Sequence, residues 1–272
     1  FRGRHSGRQT RNGYSDRGRT PGQRQIMDKN CLIVIPARYG SQRFPGKVLA
    51  LLAGKPVIQW CWEAAVKAGL GPVTIATEHE AVLSFARSIG ARAVMTSPRC
   101  QSGTDRVYEA SRGARAEFII NIQGDEPFMT AATLRKAFRK LKDSPACQIG
   151  TACTRIHDED DIQNPNCVKV AMNKEGRALY FSRCPIPFHH QLSHLKGYPY
   201  YKHCGFYIYR REALNRFVGL KPSPLERLER LEQLRALENG MNISVAEVPP
   251  LGPAIDVAAD LKAAARFLAR GK

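Results

Sequence analysis

The sequence predicts an α/β protein built on one doubly wound, mostly parallel sheet. Two observations predict it. Short apolar runs rich in β-branched residues, at 31–36, 73–77, 92–96 and 118–123, read as buried strands. Segments of helical character at 56–68, 79–89, 103–116 and 130–142 follow them in turn. Strands that alternate with helices form βαβ units, and right-handed crossovers wind such units into a Rossmann-like layered sheet. A third observation sets the environment. No apolar run approaches the ~20 residues that span a bilayer; the internal ones are as short as CLIVIP at 31–36. A soluble, cytoplasmic protein with no membrane partner is the expectation.

In chain order, residues 1–30 come first and have almost no aliphatics. They carry seven Arg and one Lys against Asp16 and Asp28, the composition of a disordered basic tail. Their Arg-rich, acid-poor balance suits a transit peptide, but the amphipathic apolar face is missing. The folded domain is expected over 31–272, opening on the strand after Met27. Beyond 142 the pattern is less regular. Strands are expected at 149–154, 167–172, 205–210 and 243–248. Between them, 184–202 (CPIPFHHQLSHLKGYPYYK) is rich in Pro, His and Tyr. An excursion of that length in a compact domain is usually a lid or an interface. A charged helix is expected over 224–239. Its leucines at 225, 228, 231, 234 and 237 recur every third residue and so spread around the cylinder. A last helix is expected over 256–269, with Val257, Leu261, Ala264, Ala265 and Leu268 on one stripe.

The net charge is +18, and most of it lies in the body, which favours an anionic ligand. A solvated basic surface is the plainer alternative. Eight cysteines without a CxxC pair in a chain of 272 residues read as reduced structural thiols rather than a disulfide framework. His190 and His194 are four apart, but no Glu follows His190, so the HExxH zinc pattern is absent.

Four segments carry chemistry. PARYGSQRFPGK (36–47) follows the first strand, where ligands of open α/β sheets bind. It offers Gly40 and Gly46 for close approach, the cations Arg38, Arg43 and Lys47, and the hydroxyl of Ser41, a set suited to a polyphosphate. It is neither a P-loop nor a GxGxxG fingerprint; a basic turn is the alternative. INIQGDEPF (120–128) ends a strand on Asp125, a natural magnesium ligand beside a polyphosphate loop. PAIDVAADL (253–261) sets Asp256 where the last helix is expected to begin, so the residue is either a helix cap or a second metal ligand. In CQSGTDR (100–106), Ser102 or Thr104 can cap the following helix, whose first amides can also face a ribose or base.

Together these segments resemble the CMP-Kdo synthetases, the 3-deoxy-manno-octulosonate (Kdo) cytidylyltransferases. The resemblance covers nearly all of 31–270. It rests on IPARYGSQRFPGK (35–47), IATEHEAV (75–82), QSGTDR (101–106), NIQGDEP (121–127), ALYFSRCPIP (178–187), HCGFYIYR (203–210) and SPLERLERLEQLR (223–235), in that order. It implies the nucleotide-diphospho-sugar transferase type of sheet and transfer of CMP from CTP to Kdo. It implies that Arg38, Ser41, Arg43 and Lys47 hold the triphosphate, and that Ala76, Thr77, Gln101 and Ser102 line the cytosine and ribose. Arg183, His203, Tyr207, Glu232 and Gln233 would contact the sugar acid. Asp125 and Asp256 would bind Mg2+, with Lys47 completing the catalytic set, and 184–202 would help to form a homodimer. Three features depart from the family pattern: Glu78 where an aspartate is frequent, Cys100 where a His is frequent, and Ala254-Ile255-Asp256-Val257 in place of Gly-Val-Asp-Thr.

Two other readings compete. A cytidylyltransferase for sialic acid or another keto sugar acid would keep the nucleotide words, but HCGFY and LEQLR favour Kdo. An RNA-binding protein would use the basic tail, but no RRM, KH or dsRBD word is present, so nucleic acid is not an expected partner.

Overall fold

In the computed structural model the described residues are 30–41, 43–188 and 199–270. The basic tail 1–29 and most of the 184–202 excursion therefore lie outside them. The first half runs β1 (Cys31–Pro36), a small hairpin of β2 (Leu51–Leu52) and β3 (Lys55–Pro56), α1 (Val57–Ala68), β4 (Val73–Thr77), α2 (Glu80–Ser88), β5 (Arg92–Met95), α3 (Gly103–Ser111), β6 (Phe118–Asn121) and α4 (Ala131–Lys142). The second half runs β7 (Ile149–Arg155), α5 (Glu159–Gln163), β8 (Lys169–Met172), β9 (Ala178–Ser182), β10 (Tyr201–Arg210), α6 (Arg211–Val218), α7 (Pro224–Glu229), α8 (Gln233–Glu238), β11 (Ile243–Glu247) and α9 (Asp260–Arg270).

Seven strands of the main sheet run in the order β11-β7-β10-β6-β1-β4-β5, with the β8–β9 hairpin attached beside β10. β6, β1, β4 and β5 are mutually parallel, as are β11 and β7. β10 is antiparallel to both of its neighbours in that order, β6 and β7. The sheet is thus mostly parallel, as expected, with one antiparallel strand in its middle.

Burial on both faces explains the continuous apolar runs. Residues 31–36 of β1 are all buried, and strands covered on both sides lose the in-out alternation of a half-exposed sheet. One apolar layer joins Ile33, Ile35 and Ile75 to Ile58 of α1, Val82 of α2 and Leu134 of α4. The other joins Val34 and Ile119 to Val107 of α3, Leu214 of α6 and Leu234 of α8.

The expected helix over 224–239 is two helices. Arg230 breaks it in a left-handed conformation at φ 52. A period of three cannot keep five leucines on one face of a 3.6-residue helix. The break buries Leu231 and Leu234 while Leu228 stays 80% exposed. The helix expected over 103–116 ends at Ser111, and the last helix begins at Asp260 rather than 256. β10 begins at Tyr201, four residues earlier than the apolar pattern indicates. The amphipathic helix α6 was not expected.

Candidate active site

The loop after β1 is closed by its own backbone. The carbonyl of Tyr39 accepts from Ser41 N at 2.9 Å and Gly46 N at 2.8 Å. Gly46 takes φ 71, where a side chain would be strained and its Cβ would press on the Tyr39 ring at 3.3 Å. Gly40 is not constrained in this way; a Cβ there would meet nothing within 4 Å. The closed loop delivers Lys47 to the start of a short 3-10 turn (Lys47–Leu49).

Lys47 is the point where three distant segments meet. Its side chain is only 12% exposed. The ammonium bonds Asp125 Oδ2 and reaches Ile255 O at 3.1 Å and Asp256 Oδ1 at 3.3 Å. Arg43 Nη2 also reaches Asp256 Oδ1, at 3.2 Å, across a more open surface. The backbone supports the convergence: Ile255 N donates to Asp125 O at 2.9 Å. At the adjoining Gly124 only glycine fits, because a Cβ would stand 2.9 Å from Pro36 O.

Asp256 is therefore not the cap of the last helix. The helix begins four residues later, at Asp260, whose carboxylate turns back to accept from Asp256 N at 2.7 Å and Val257 N at 2.9 Å. The Asp256 carboxylate is left to face Arg43 and Lys47. Ser102, by contrast, does cap α3: its hydroxyl accepts from Asp105 N, and Asp105 Oδ2 accepts from Ser102 N. Thr104 turns elsewhere and donates to Glu232 Oε2 at 2.7 Å.

Above these residues lies a cavity of about 1010 Å3. Arg38, Ser41, Arg43, Lys47 and Asp125 line it. Gln101, Ser102 and Arg183 line it as well. The Arg183 guanidinium is held by backbone carbonyls, Glu229 O at 2.7 Å and Pro165 O at 2.9 Å. Carbonyls orient the fork without cancelling its charge. With Arg106 and Arg230 also in the wall, cations outnumber acids, and such a cleft concentrates anions.

Other expected residues do not line this cavity. Ala76 and Thr77 end β4 with no exposed surface. Their backbone positions the site: Ala76 O accepts from Ala37 N, and Thr77 O from Thr96 N, both at 2.8 Å. Tyr207 and Gln233 are buried, and burial raises the Tyr207 pKa well above its ordinary value. His203 packs edge-on against Phe181 and beside Tyr207. Its Nε2 lies 3.0 Å from Thr151 Oγ1, and burial lowers its pKa to about 3, so it is neutral near pH 7. It borders a separate cavity of about 90 Å3 with Glu126, whose pKa burial and the charge of Asp125 raise to about 7. Glu232 borders a third, open groove on the other side of Ser102. Burial raises its pKa, against the hydrogen bond from Thr104.

Several contributors, Arg230 among them, were not among the expected site residues. Arg106 and Gln123 line the cavity, although both lie inside the words QSGTDR and NIQGDEP. Asn166 lines it from the turn before β8, and the only sequence signal there is the turn-forming Asn-Pro-Asn at 164–166.

Residues 32–243 match the family model described as cytidylyltransferase. The 3-deoxy-manno-octulosonate cytidylyltransferase of Elusimicrobium minutum is 48% identical over 87% of this chain and 97% of its own length. The chain belongs to the 3-deoxy-manno-octulosonate cytidylyltransferase family. The relative of that name from Acidobacterium capsulatum is 46% identical over 89% of this chain and 98% of its own. A solved structure of CMP:2-keto-3-deoxy-manno-octonic acid synthetase complexed with CTP is 38% identical, with a TM-score of 0.83, covering 89% of this chain and all of that one. A 4-diphosphocytidyl-2C-methyl-D-erythritol synthase from Anaerococcus prevotii, 11% identical with a TM-score of 0.58 over 89% of this chain and all of that one, shares the fold alone. Within the family, the unequal exposure of the expected nucleotide and sugar residues becomes a question about each substrate.

Proposed function

We propose that this chain transfers CMP from CTP to the anomeric hydroxyl of Kdo, releasing pyrophosphate. Family membership supports the reaction. The observation in the structure that carries it is Lys47, set between Asp125 and Asp256 in the wall of a cation-lined cavity.

The two carboxylates fit a magnesium ion. Both lie within reach of one ammonium, so they can share a cation, and Mg2+ characteristically takes one or two protein carboxylates and fills its other positions with water and phosphate oxygens. Among the described residues no group of three or more His, Cys, Asp or Glu gathers at one point. When bound, Mg2+ supplies charge neutralisation at the α-phosphate and makes the attacking hydroxyl more acidic. The remaining work falls to the chain. Arg38, Ser41 and Arg43 hold the triphosphate, and Lys47 neutralises charge that accumulates on the departing pyrophosphate. Gln101 and Ser102 face the nucleoside, with Ala76 and Thr77 behind them. Arg183 receives the sugar carboxylate. His203, Tyr207, Glu232 and Gln233 shape the acceptor side. Positioning accounts for most of the catalysis, because in-line displacement at phosphorus needs little covalent help.

Cytoplasmic location and a homodimer belong to the same reading. Among the described residues no helix is long and apolar enough to cross a membrane. Phe188, at the start of the 184–202 excursion, is 86% exposed, and a partner chain would cover it.

The test is pyrophosphate release with each of the four nucleoside triphosphates, using Kdo and a sialic acid as separate acceptors. CTP with Kdo is the expected pair. Preference for ATP or GTP, or activity with sialic acid but not Kdo, overturns the assignment.

A further inference from the structure

One buried charge pair stands outside all the contacts assigned above, yet touches both walls of the nucleotide cavity. Glu78 follows β4, and its carboxylate has two tasks. Oε1 accepts from Tyr39 N at 2.9 Å and from Gly40 N at 3.5 Å, inside the phosphate loop. Oε2 faces Arg106 Nη2 at 2.9 Å, on α3. The Arg106 side chain is 3% exposed, and its Nη1 donates to Thr96 Oγ1. A stacked pair reinforces the same corner: the rings of Tyr39 and His79 lie 3.8 Å apart and 14° from parallel. The loop that carries Arg38, Ser41 and Arg43 and the helix start that carries Gln101 and Ser102 are thus joined through one carboxylate.

We propose that Glu78 is a positioning residue for the nucleotide: with Arg106 it fixes the distance between the phosphate loop and the start of α3, and so between the triphosphate and nucleoside subsites. The inference rests on the cytidylyltransferase reading. The chemistry requires a carboxylate. An ionised carboxylate can accept from two amides through one oxygen while its charge pairs with a guanidinium beside the other. A carboxamide of the same shape has one accepting oxygen and sets N–H groups against a donor on its other side. Removing the charge of Glu78 would also leave the buried Arg106 guanidinium uncompensated.

The experiment is steady-state kinetics of Glu78→Gln and Glu78→Asp, varying CTP and Kdo separately, with Tm measured alongside. Glu78→Gln is expected to raise KM for CTP at least ~10-fold while KM for Kdo stays within about twofold. Glu78→Asp keeps the charge and is expected to recover most of the loss. A merely structural role would raise both KM values together or lower Tm alone, and either result overturns the proposal, as does a CTP KM within about twofold of wild type. If Glu78→Gln fails to fold, Arg106→Lys takes its place under the same criteria, since a lysine cannot pair with Glu78 and Thr96 in fork geometry. A wild-type chain inactive with CTP removes the functional reading and the inference with it. An active wild type with an unshifted variant removes the inference alone.

Discussion

The nucleotide end of the cavity and its acceptor end are built differently. At the nucleotide end, Arg38, Ser41, Arg43 and Lys47 follow the carboxyl end of a parallel strand, and Arg38 and Arg43 are exposed to the cavity, although Ala76 and Thr77 are buried. At the acceptor end, His203 and Tyr207 sit on β10, the antiparallel strand, and Gln233 opens α8; Tyr207 and Gln233 are buried, and His203 borders a smaller cavity. Only Arg183 of that group faces the large cavity. Parallel strands leave their carboxyl ends together and free for ligands, whereas an antiparallel strand inside a sheet spends its side chains on the packed faces. The difference teaches that the groups proposed for the triphosphate are already displayed, while most of those proposed for the acceptor also help to hold the core together.

The comparison breaks most sharply at the two aspartates. Asp125→Asn is expected to reduce kcat at least ~10²-fold, the scale of losing one transition-state stabiliser. Asp256→Asn is expected to do the same, whereas a helix cap would tolerate the change, because Asn caps as well as Asp. Near-wild-type kcat in Asp256→Asn would leave Asp125 as the sole metal ligand.

A smaller effect is expected at the acceptor end. Glu232→Ala should raise KM for Kdo about tenfold, or ~1.4 kcal/mol in transition-state terms, with CTP affinity unchanged by calorimetry. Loss of CTP binding with Kdo binding retained would move Glu232 to the nucleotide subsite, and its contact with Thr104 on α3 makes that a real contest.

Titration sharpens the same contrast. His203 has a folded pKa of about 3 against the usual 6.5. Between those values the unfolded chain binds more protons, so this contribution to stability is lost as pH falls from about 6.5 toward 3. Glu126 acts with the opposite sign: its folded pKa of about 7 lies above the usual 4.5, and its contribution is lost as pH rises through 7. Comparing Tm at pH 7 and pH 5 for wild type and His203→Asn isolates the first term. The variant should lose less on acidification; an equal loss would mean that His203 is not held neutral.

The smallest effect is expected outside both ends. A chain beginning at Met27 should keep kcat/KM within about tenfold of the full chain, since the assigned residues all lie beyond residue 37. A larger loss would give the basic tail a part in catalysis.

Much of the first half is legible in the sequence. Strands buried on both faces must be continuously apolar, so β1, β4 and β6 stand out, and the loop after β1 announces its charge. The second half hides more. The leucines at every third residue conceal the break at Arg230, and nothing local in 201–210 says that the strand will be inserted antiparallel between β6 and β7. Arg106 reads as an ordinary helix residue, because its counter-charge Glu78 lies 28 positions away.

The sequence by itself determined the class of sheet, the phosphate loop and the candidate metal ligand Asp125, since each rests on periodicity or on neighbours a few residues apart. Only the tertiary structure shows where the Asp256 carboxylate stands. Local sequence offers it a helix start, but the backbone runs on to Asp260 before the helix forms. Chain folding brings Ile255 against Asp125 and sets the Asp256 carboxylate beside Lys47. Coulomb attraction acts through space rather than along the chain, so a charge pair 209 residues apart exists only once the sheet has assembled its carboxyl ends into one crevice.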